Sequence, residues 1–313
     1  MITFEHVSKS YDGVPAIVDL NLHIARGELV VLIGPSGSGK STALKMINRM
    51  VDHDSGRILF NGQEIYSFNV QDLRRRMGYA IQSVGLFPHW TVARNIATVP
   101  QLLGWNKERI EARVAELLTL FAMSPGDYAN RYPHQLSGGQ LQRVGVARAL
   151  AADPDVLLMD EPFGALDPVT RSALQLELKR VHQASGKTIV LVTHDMDEAL
   201  LLATRIVLLR QGRVEQVDTP LALLSNPTSD FVADFLGRAD IGLKLLSLQA
   251  VAPFIQPLTI APPHGQIADT ASVREALSTM AAQGVSALRV VDASGQTTGQ
   301  VRAADLLEAK RRG

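Results

Sequence analysis

The sequence predicts an α/β fold built on a parallel sheet, followed by a smaller α+β segment. Three observations carry this expectation. Between residues 138 and 192, short apolar strands alternate with amphipathic helices, the pattern of parallel βαβ units. A glycine-rich loop, Gly34 to Ser41, joins a continuous apolar run to the start of a helix. Beyond a boundary near Gly237 to Ile241 the pattern changes character, which places a first domain at 1–237 and a second at 238–313.

Residues 1 to about 66 read mostly as strands. Glu28 to Ile33, "ELVVLI", has the unbroken apolar character of a strand covered on both faces. Arg57 to Phe60 and Gln63 to Ile65 flank Asn61-Gly62, a pair that readily takes the positive φ of a type I′ hairpin turn. A helix is expected from about Gly39 to Met50. Residues 70–130 look mainly helical and loop-rich, with Arg109 to Phe121 the most periodic stretch. Next come a helix at Gly138 to Ala152 stopped by Asp153-Pro154, a strand at Val156 to Met159, a helix at Val169 to Ala184 and a strand at Thr188 to Val192. Arg205 to Val217 reads as a hairpin around Gln211-Gly212, and Thr228 to Leu236 as a short helix.

Composition narrows the function classes. Lys+Arg and Asp+Glu are both 31, so the basic excess of a nucleic-acid binder is missing. There are 0 cysteines, which removes disulfides and thiolate metal sites and fits a reducing cytosol. No secretory signal is visible, and the apolar stretch Ala199 to Leu209 is interrupted by Arg205 and too short for a bilayer. Membrane association is therefore expected only through a partner.

"GPSGSGKS", comprising Gly34, Pro35, Ser36, Gly37, Ser38, Gly39, Lys40 and Ser41, fits G-x-x-x-x-G-K-[ST] in the strand-to-helix setting that the motif requires. Its glycines let backbone N–H groups turn toward phosphate oxygens, and the following helix start, including Thr42, adds its dipole. Lys40 brings charge to the outer phosphates, and the Ser41 hydroxyl can ligate Mg²⁺. "VLLMDE", Val156 to Glu161, supplies the complement. Its strand end offers Asp160 to the metal and Glu161 as a general base for an attacking water. A second glycine pair lies in "LSGGQ", Leu136, Ser137, Gly138, Gly139 and Gln140. Ser137 reads as an N-cap, and the glycines leave helix N–H groups uncovered for an anion, yet no lysine accompanies them.

The order of phosphate loop, "LSGGQ", "VLLMDE", "ALD" and "TH" resembles the ATPase subunits of ABC transporters over about residues 1–237. The resemblance implies a RecA-like core with an antiparallel β subdomain and a helical subdomain, ATP and Mg²⁺ as ligands, and hydrolysis as the activity. It also implies residue roles. Tyr11 in "KSYDG" would stack on adenine, or simply pack at a strand end. Gln82 in "YAIQSVGLFPH" would touch Mg²⁺ and couple to the membrane subunit. Asp167 in "GALDP" would cross a dimer interface, cap a helix ahead of Pro168, or do both. His194 in "LVTHD" would contact the γ-phosphate. The lone "LSGGQ" would close over the phosphate held by the other subunit of a homodimer.

"LRRRMGYAIQSVGLFPHWTVARNIATVPQLLGW" and "EPFGALDPVTR…VTHDMDEAL" are closest to the bacterial importers of osmoprotectant quaternary amines. This implies two integral permease subunits, a periplasmic or lipid-anchored binding protein, and a place on the cytoplasmic face of the inner membrane. Two alternatives stay open. One is an importer ATPase for another small solute; the other is a soluble ABC protein acting on ribosomes or DNA, which the neutral charge and single ATPase unit oppose. Residues from about 266 to 311 resemble one CBS module: Ser272 and Glu275 fit a capping box, and Val273, Ala276, Leu277 and Met280 form an apolar stripe. A strand at Leu288 to Val291, a turn at Ser294-Gly295 and a helix at Ala303 to Lys310 would complete it. Residues 241–265, with Pro253, Pro257, Pro262 and Pro263, lack the pattern of a second module.

Overall fold

The computed structural model describes residues 1–81, 85–164, 166–258 and 264–308. Two compact units divide the chain, Met1–Thr219 and Pro220–Gly313. The division falls before Gly237 because the first helix after Thr219 packs against the helix that follows Asp240.

In the first unit, strands β1 (Ile2–Tyr11), β2 (Val14–Ile24), β3 (Leu29–Ile33), β4 (Ser55–Phe60), β5 (Gln63–Glu64), β6 (Met77–Ile81), β7 (Val156–Asp160), β8 (Thr188–Val192), β9 (Arg205–Arg210) and β10 (Arg213–Asp218) form two sheets. The order β2-β1-β4-β5 is antiparallel throughout. In the other sheet, β10-β9-β3-β8-β7-β6, all pairs are parallel except β9–β10. One apolar core joins the two sheets, with Ile2, Phe4 and Phe60 from the first packed in the same cluster as Leu32, Leu158 and Val190 from the second. All five residues of β3 and of β8 are buried, and burying each of their Val, Leu and Ile side chains is worth roughly 1.5–3 kcal/mol. Those continuous apolar runs therefore dictate the two central strands.

The helices of this unit are α1 (Lys40–Ile47), α2 (Val70–Arg75), α3 (Val92–Ile96), α4 (Thr98–Leu102), α5 (Lys107–Leu120), α6 (Pro125–Tyr128), α7 (Gly138–Leu150), α8 (Pro168–Ser185) and α9 (Met196–Leu202). α1 packs on β7 and β8 and stops at Asn48, short of the expected Met50, where Arg49 turns left-handed at φ 55. Asn61 (φ 52) and Gly62 (φ 81) make the expected I′ turn between β4 and β5. The stretch 70–130, read as helical and loop-rich, also holds β6, the parallel edge strand beside β7.

The second unit holds α10 (Pro220–Ser225), α11 (Asp230–Leu236), α12 (Ile241–Leu248), β11 (Gln266–Ala268), α13 (Val273–Gln283), β12 (Ala287–Val291), β13 (Thr297–Arg302) and α14 (Ala303–Glu308). β11 and β12 are parallel and joined through α13, while β13 returns antiparallel. Val273, Ala276 and Met280 face Leu288, Val290 and Val301 in a small separate core, with Leu277 against it. The Ser272–Glu275 capping box forms as expected. The prolines of 241–265 hid α12 from the sequence reading. Pro262, Pro263 and the basic run Lys310 to Arg312 lie outside the described residues.

Candidate active site

Strand order puts three functional segments side by side. Leu32 of β3 pairs with Val192 of β8, and Val192 pairs with Asp160 of β7. The carboxyl ends of these neighbours therefore open onto one edge, where open α/β sheets bind ligands. From that edge emerge the loop Gly34–Gly39, the pair Asp160-Glu161, and Thr193-His194.

The loop is shaped by what a side chain would hit. Gly34 has φ 151, and a Cβ there would sit 2.0 Å from the Leu209 carbonyl oxygen and 2.8 Å from Ser38 Oγ. At Gly39, φ 99, it would sit 2.4 Å from the Ala16 carbonyl oxygen. Both glycines are fixed by backbone neighbours that cannot swing away. Lys40 is buried, and its Nζ donates to the carbonyls of Gly34 and Pro35, each at 2.9 Å. Burial lowers its pKa, against the opposing pull of the Glu161 and Asp160 carboxylates. The ammonium is thus wrapped by the loop's own oxygens, and an arriving anion would restore its preference for the charged form.

Ser41 Oγ donates to Asp160 Oδ1 at 2.8 Å. A hydroxyl and a carboxylate this close form the hard-oxygen donor set that suits Mg²⁺, which takes few protein ligands and keeps several waters. Glu161 next door is held in the left-handed region at φ 48, with its N–H donating to Val192 O at 3.0 Å. Such strain in a non-glycine residue persists only where surrounding structure enforces it. Glu161 Oε2 lies 3.4 Å from His194 Nδ1. His194 itself is held between Thr193, whose N–H donates to Leu32 O at 3.2 Å, and Asp195, the N-cap of α9.

Other expected site residues lie on separate elements. Tyr11 ends β1 and is 45% exposed, open for stacking and not packed into the core; the Lys9 ammonium sits 5.4 Å from its ring centroid. Asp167 caps α8, accepting from the N–H groups of Val169 (3.2 Å) and Thr170 (3.1 Å), with Pro168 in the first turn. The bonds from Thr170 hold its carboxyl below the usual carboxylate range. Gln82 falls outside the described residues. Ser137 caps α7 and forms a reciprocal box with Gln140, at 3.3 and 3.0 Å. The N–H groups of Gly138 and Gly139 have no intrahelical acceptor. The two glycines differ in their surroundings: Gly138 is exposed, whereas a Cβ on buried Gly139 would sit 2.2 Å from Thr170 Cγ2.

Sequence reasoning missed Glu198 and its partner Gln175. Asp195 and Glu198 have the spacing of an ordinary capping pair, and the Glu198 N–H does donate to Asp195 Oδ1 at 3.1 Å. The Glu198 side chain, however, turns inward to accept from Gln175 Nε2 at 3.1 Å, and only 4% of the residue is exposed.

A phosphate-type loop on β3, an acid pair on the adjacent strand set and a histidine at the same sheet edge define a nucleoside-triphosphatase of the P-loop class. The ABC transporter family model matches residues 17–164. The glycine betaine uptake system ATP-binding protein YehX of Escherichia coli is 57% identical over 307 residues, covering 98% of this chain and 99% of that protein. The glycine betaine/carnitine/choline transport ATP-binding protein OpuCA of Bacillus subtilis is 46% identical, over 96% of this chain and 78% of its own length. Among solved structures, the dimeric post-hydrolysis state of the ATP-binding cassette MJ0796 with ADP and Pi superposes at TM-score 0.63 and 33% identity. It covers 70% of this chain and 99% of that one. The chain belongs to the ATP-binding subunits of ABC transporters and is an ABC ATPase. Among the described residues no helix is long and apolar enough to cross a membrane.

Proposed function

We propose that this chain hydrolyses MgATP to power import of an osmoprotectant quaternary amine, working as a homodimer beneath two permease subunits fed by a separate binding protein at the inner membrane. The carrying observation is the similarity to YehX, which extends over nearly the full length of both chains. In this reading Gly34–Gly39, Lys40, Ser41 and Thr42 hold the phosphates, and Tyr11 stacks on the adenine. Ser41 and Asp160, with Gln82, hold Mg²⁺, which supplies charge to the phosphate oxygens. Glu161 accepts a proton from the attacking water, and His194, 3.4 Å away, faces the γ-phosphate. Leu136 to Gln140 and Asp167 complete the site of the opposite subunit. The N–H groups of Gly138 and Gly139, which have no acceptor within the helix, support that arrangement, since an anion held elsewhere is what such a helix end can receive.

The second unit fits a single CBS-like module. Its order β11-α13-β12-β13-α14 supports that reading, with α12 packed on α13. The test of the catalytic assignment is Glu161→Gln. It should retain ATP binding and lose turnover by about 10²-fold or more, the share a positioned general base contributes. Hydrolysis at the wild-type rate would remove Glu161 from that role. ATPase stimulation of the reconstituted transporter across a panel of quaternary amines tests the solute class.

A further inference from the structure

Behind His194 lies a cavity of about 30 Å³ lined by Glu161, Phe163, Gly164, Arg171, Thr193, His194, Asp195 and Glu198. That volume admits one water, which needs on the order of 10–15 Å³ and several polar partners. Two buried atoms on its lining residues have no hydrogen bond of ordinary length within the protein: Arg171 Nε, a donor, and Glu198 Oε1, an acceptor, although the Thr193 hydroxyl is near enough to favour the same carboxylate. Natural structures rarely leave such atoms unmatched, and a bridging water is a common remedy. The other oxygen of Glu198 is fixed by Gln175 of α8, while Arg171 of α8 reaches Asp195 at 3.7 Å.

We propose that Glu198 is a positioning residue for ATP hydrolysis: with Arg171 it holds a buried water behind His194 and fastens the loop bearing that histidine to α8. The proposal rests on the roles assigned above to Glu161 and His194. Glu198 touches neither the substrate nor the reacting atoms. It sets the distance between the His194 loop and the helix capped by Asp167, so that motion of one is felt by the other. The carboxylate form does this best, because it accepts from Gln175 and the water together and attracts Arg171. Burial opposes that form and pushes the carboxyl up to about 7; the Thr193 and Gln175 bonds counter burial, Asp195 adds to it and Arg171 relieves it. The charged or titratable groups facing Glu198 are Arg171 from α8, His194 and Asp195 from its own segment, and Glu161 from the end of β7. β3, against which α9 also packs, contributes only apolar residues.

The experiment is steady-state MgATP hydrolysis by the full-length chain between pH 6 and 8.5, comparing wild type with Glu198→Gln and Glu198→Ala. Near pH 6 the wild-type carboxyl is neutral, and Glu198→Gln should match its kcat within twofold. At pH 8.5 wild type should exceed Glu198→Gln about tenfold, with KM for ATP unchanged. Glu198→Ala should be slow at both values. A wild-type to Glu198→Gln ratio that does not vary with pH, or a KM effect in place of a kcat effect, overturns the proposal. Should the alanine variant fail to fold, the isosteric glutamine variant carries the test alone. A crystal structure of the full chain should show a water between Arg171 Nε and Glu198 Oε1, and a dry cavity would equally refute it. Failure of the Glu161 assignment is separable, because Glu161→Gln is then active at every pH whatever Glu198 does.

Discussion

Replacing Gly139 by alanine separates two reasons for a glycine that the sequence cannot tell apart. The added Cβ would lie 2.2 Å from Thr170 Cγ2, against an ordinary carbon–carbon contact of about 3.5–4 Å. More than an ångström must be absorbed between α7 and α8, and overpacking of this kind costs about 1–3 kcal/mol. The better helix propensity of alanine offsets up to about 1 kcal/mol, leaving Gly139→Ala destabilised by about 1–2 kcal/mol. Thr170→Ser deletes the offending methyl and keeps the hydroxyl that favours the Asp167 carboxylate. The next atom, Thr170 Cβ, is 3.6 Å away, an ordinary contact. Urea unfolding of the four chains should therefore give a favourable coupling of about 1–3 kcal/mol, the size of the clash, with the double variant up to about 1 kcal/mol more stable than Thr170→Ser alone. Additive effects, within about 0.3 kcal/mol, would refute the packing argument. The same four proteins, assayed for ATPase, then test the second reason. A double variant restored in stability but still inactive would leave close approach of a phosphate as the cause of the glycine.

Two further outcomes follow from the same geometry. Gly34→Ala cannot be rescued by any side-chain change, because the clash is with the Leu209 carbonyl; a loss of about 3 kcal/mol is expected in urea unfolding, at the upper end of overpacking costs, and a loss below about 0.5 kcal/mol would contradict the structure. For Glu198 the native state binds its proton more tightly than the unfolded chain, with the pKa raised from 4.5 to about 7. Stability therefore falls as pH rises through that interval, by about 3 kcal/mol once the group is fully ionised, at about 1.4 kcal/mol per unit. Glu198→Gln removes this cost, so its Tm should exceed that of wild type at pH 8 and converge with it below pH 4.5. A Tm difference that is constant with pH would show that Glu198 carries no such shift.

The phosphate loop, the acid pair at the end of β7 and the cap of α7 were legible because each depends on local chain chemistry. A glycine where backbone must pass backbone, an apolar run that can only be a central strand, and a serine with glutamine three residues on all state their structure within a few positions. β6 was less visible. Met77–Ile81 is short and only partly buried on an edge, so its identity comes from β7 beside it and not from its own periodicity. α12 was obscured by the prolines that follow it, and it leaves no residue fully buried. Its place is set by α10 and α13, which a local reading cannot supply.

Glu198 shows where local reading fails for a physical reason and not for want of signal. In sequence it is the acidic third residue of a helix, the position where a carboxylate normally faces solvent and satisfies a free N–H. In the fold Thr193 already occupies that N–H: its Oγ1 accepts from Asp195 N at 3.0 Å. The Glu198 side chain is released from capping and drawn into the interior by Gln175, a residue 23 positions earlier. The protein thus keeps an ionisable group where a neutral one would be more stable above pH 7. The proposed positioning role gives that cost a use, one that the neutral group would not serve. Here that is the tie between the His194 loop and α8, and the opposite signs expected for Glu198→Gln, more stable but slower at pH 8, express one and the same carboxylate.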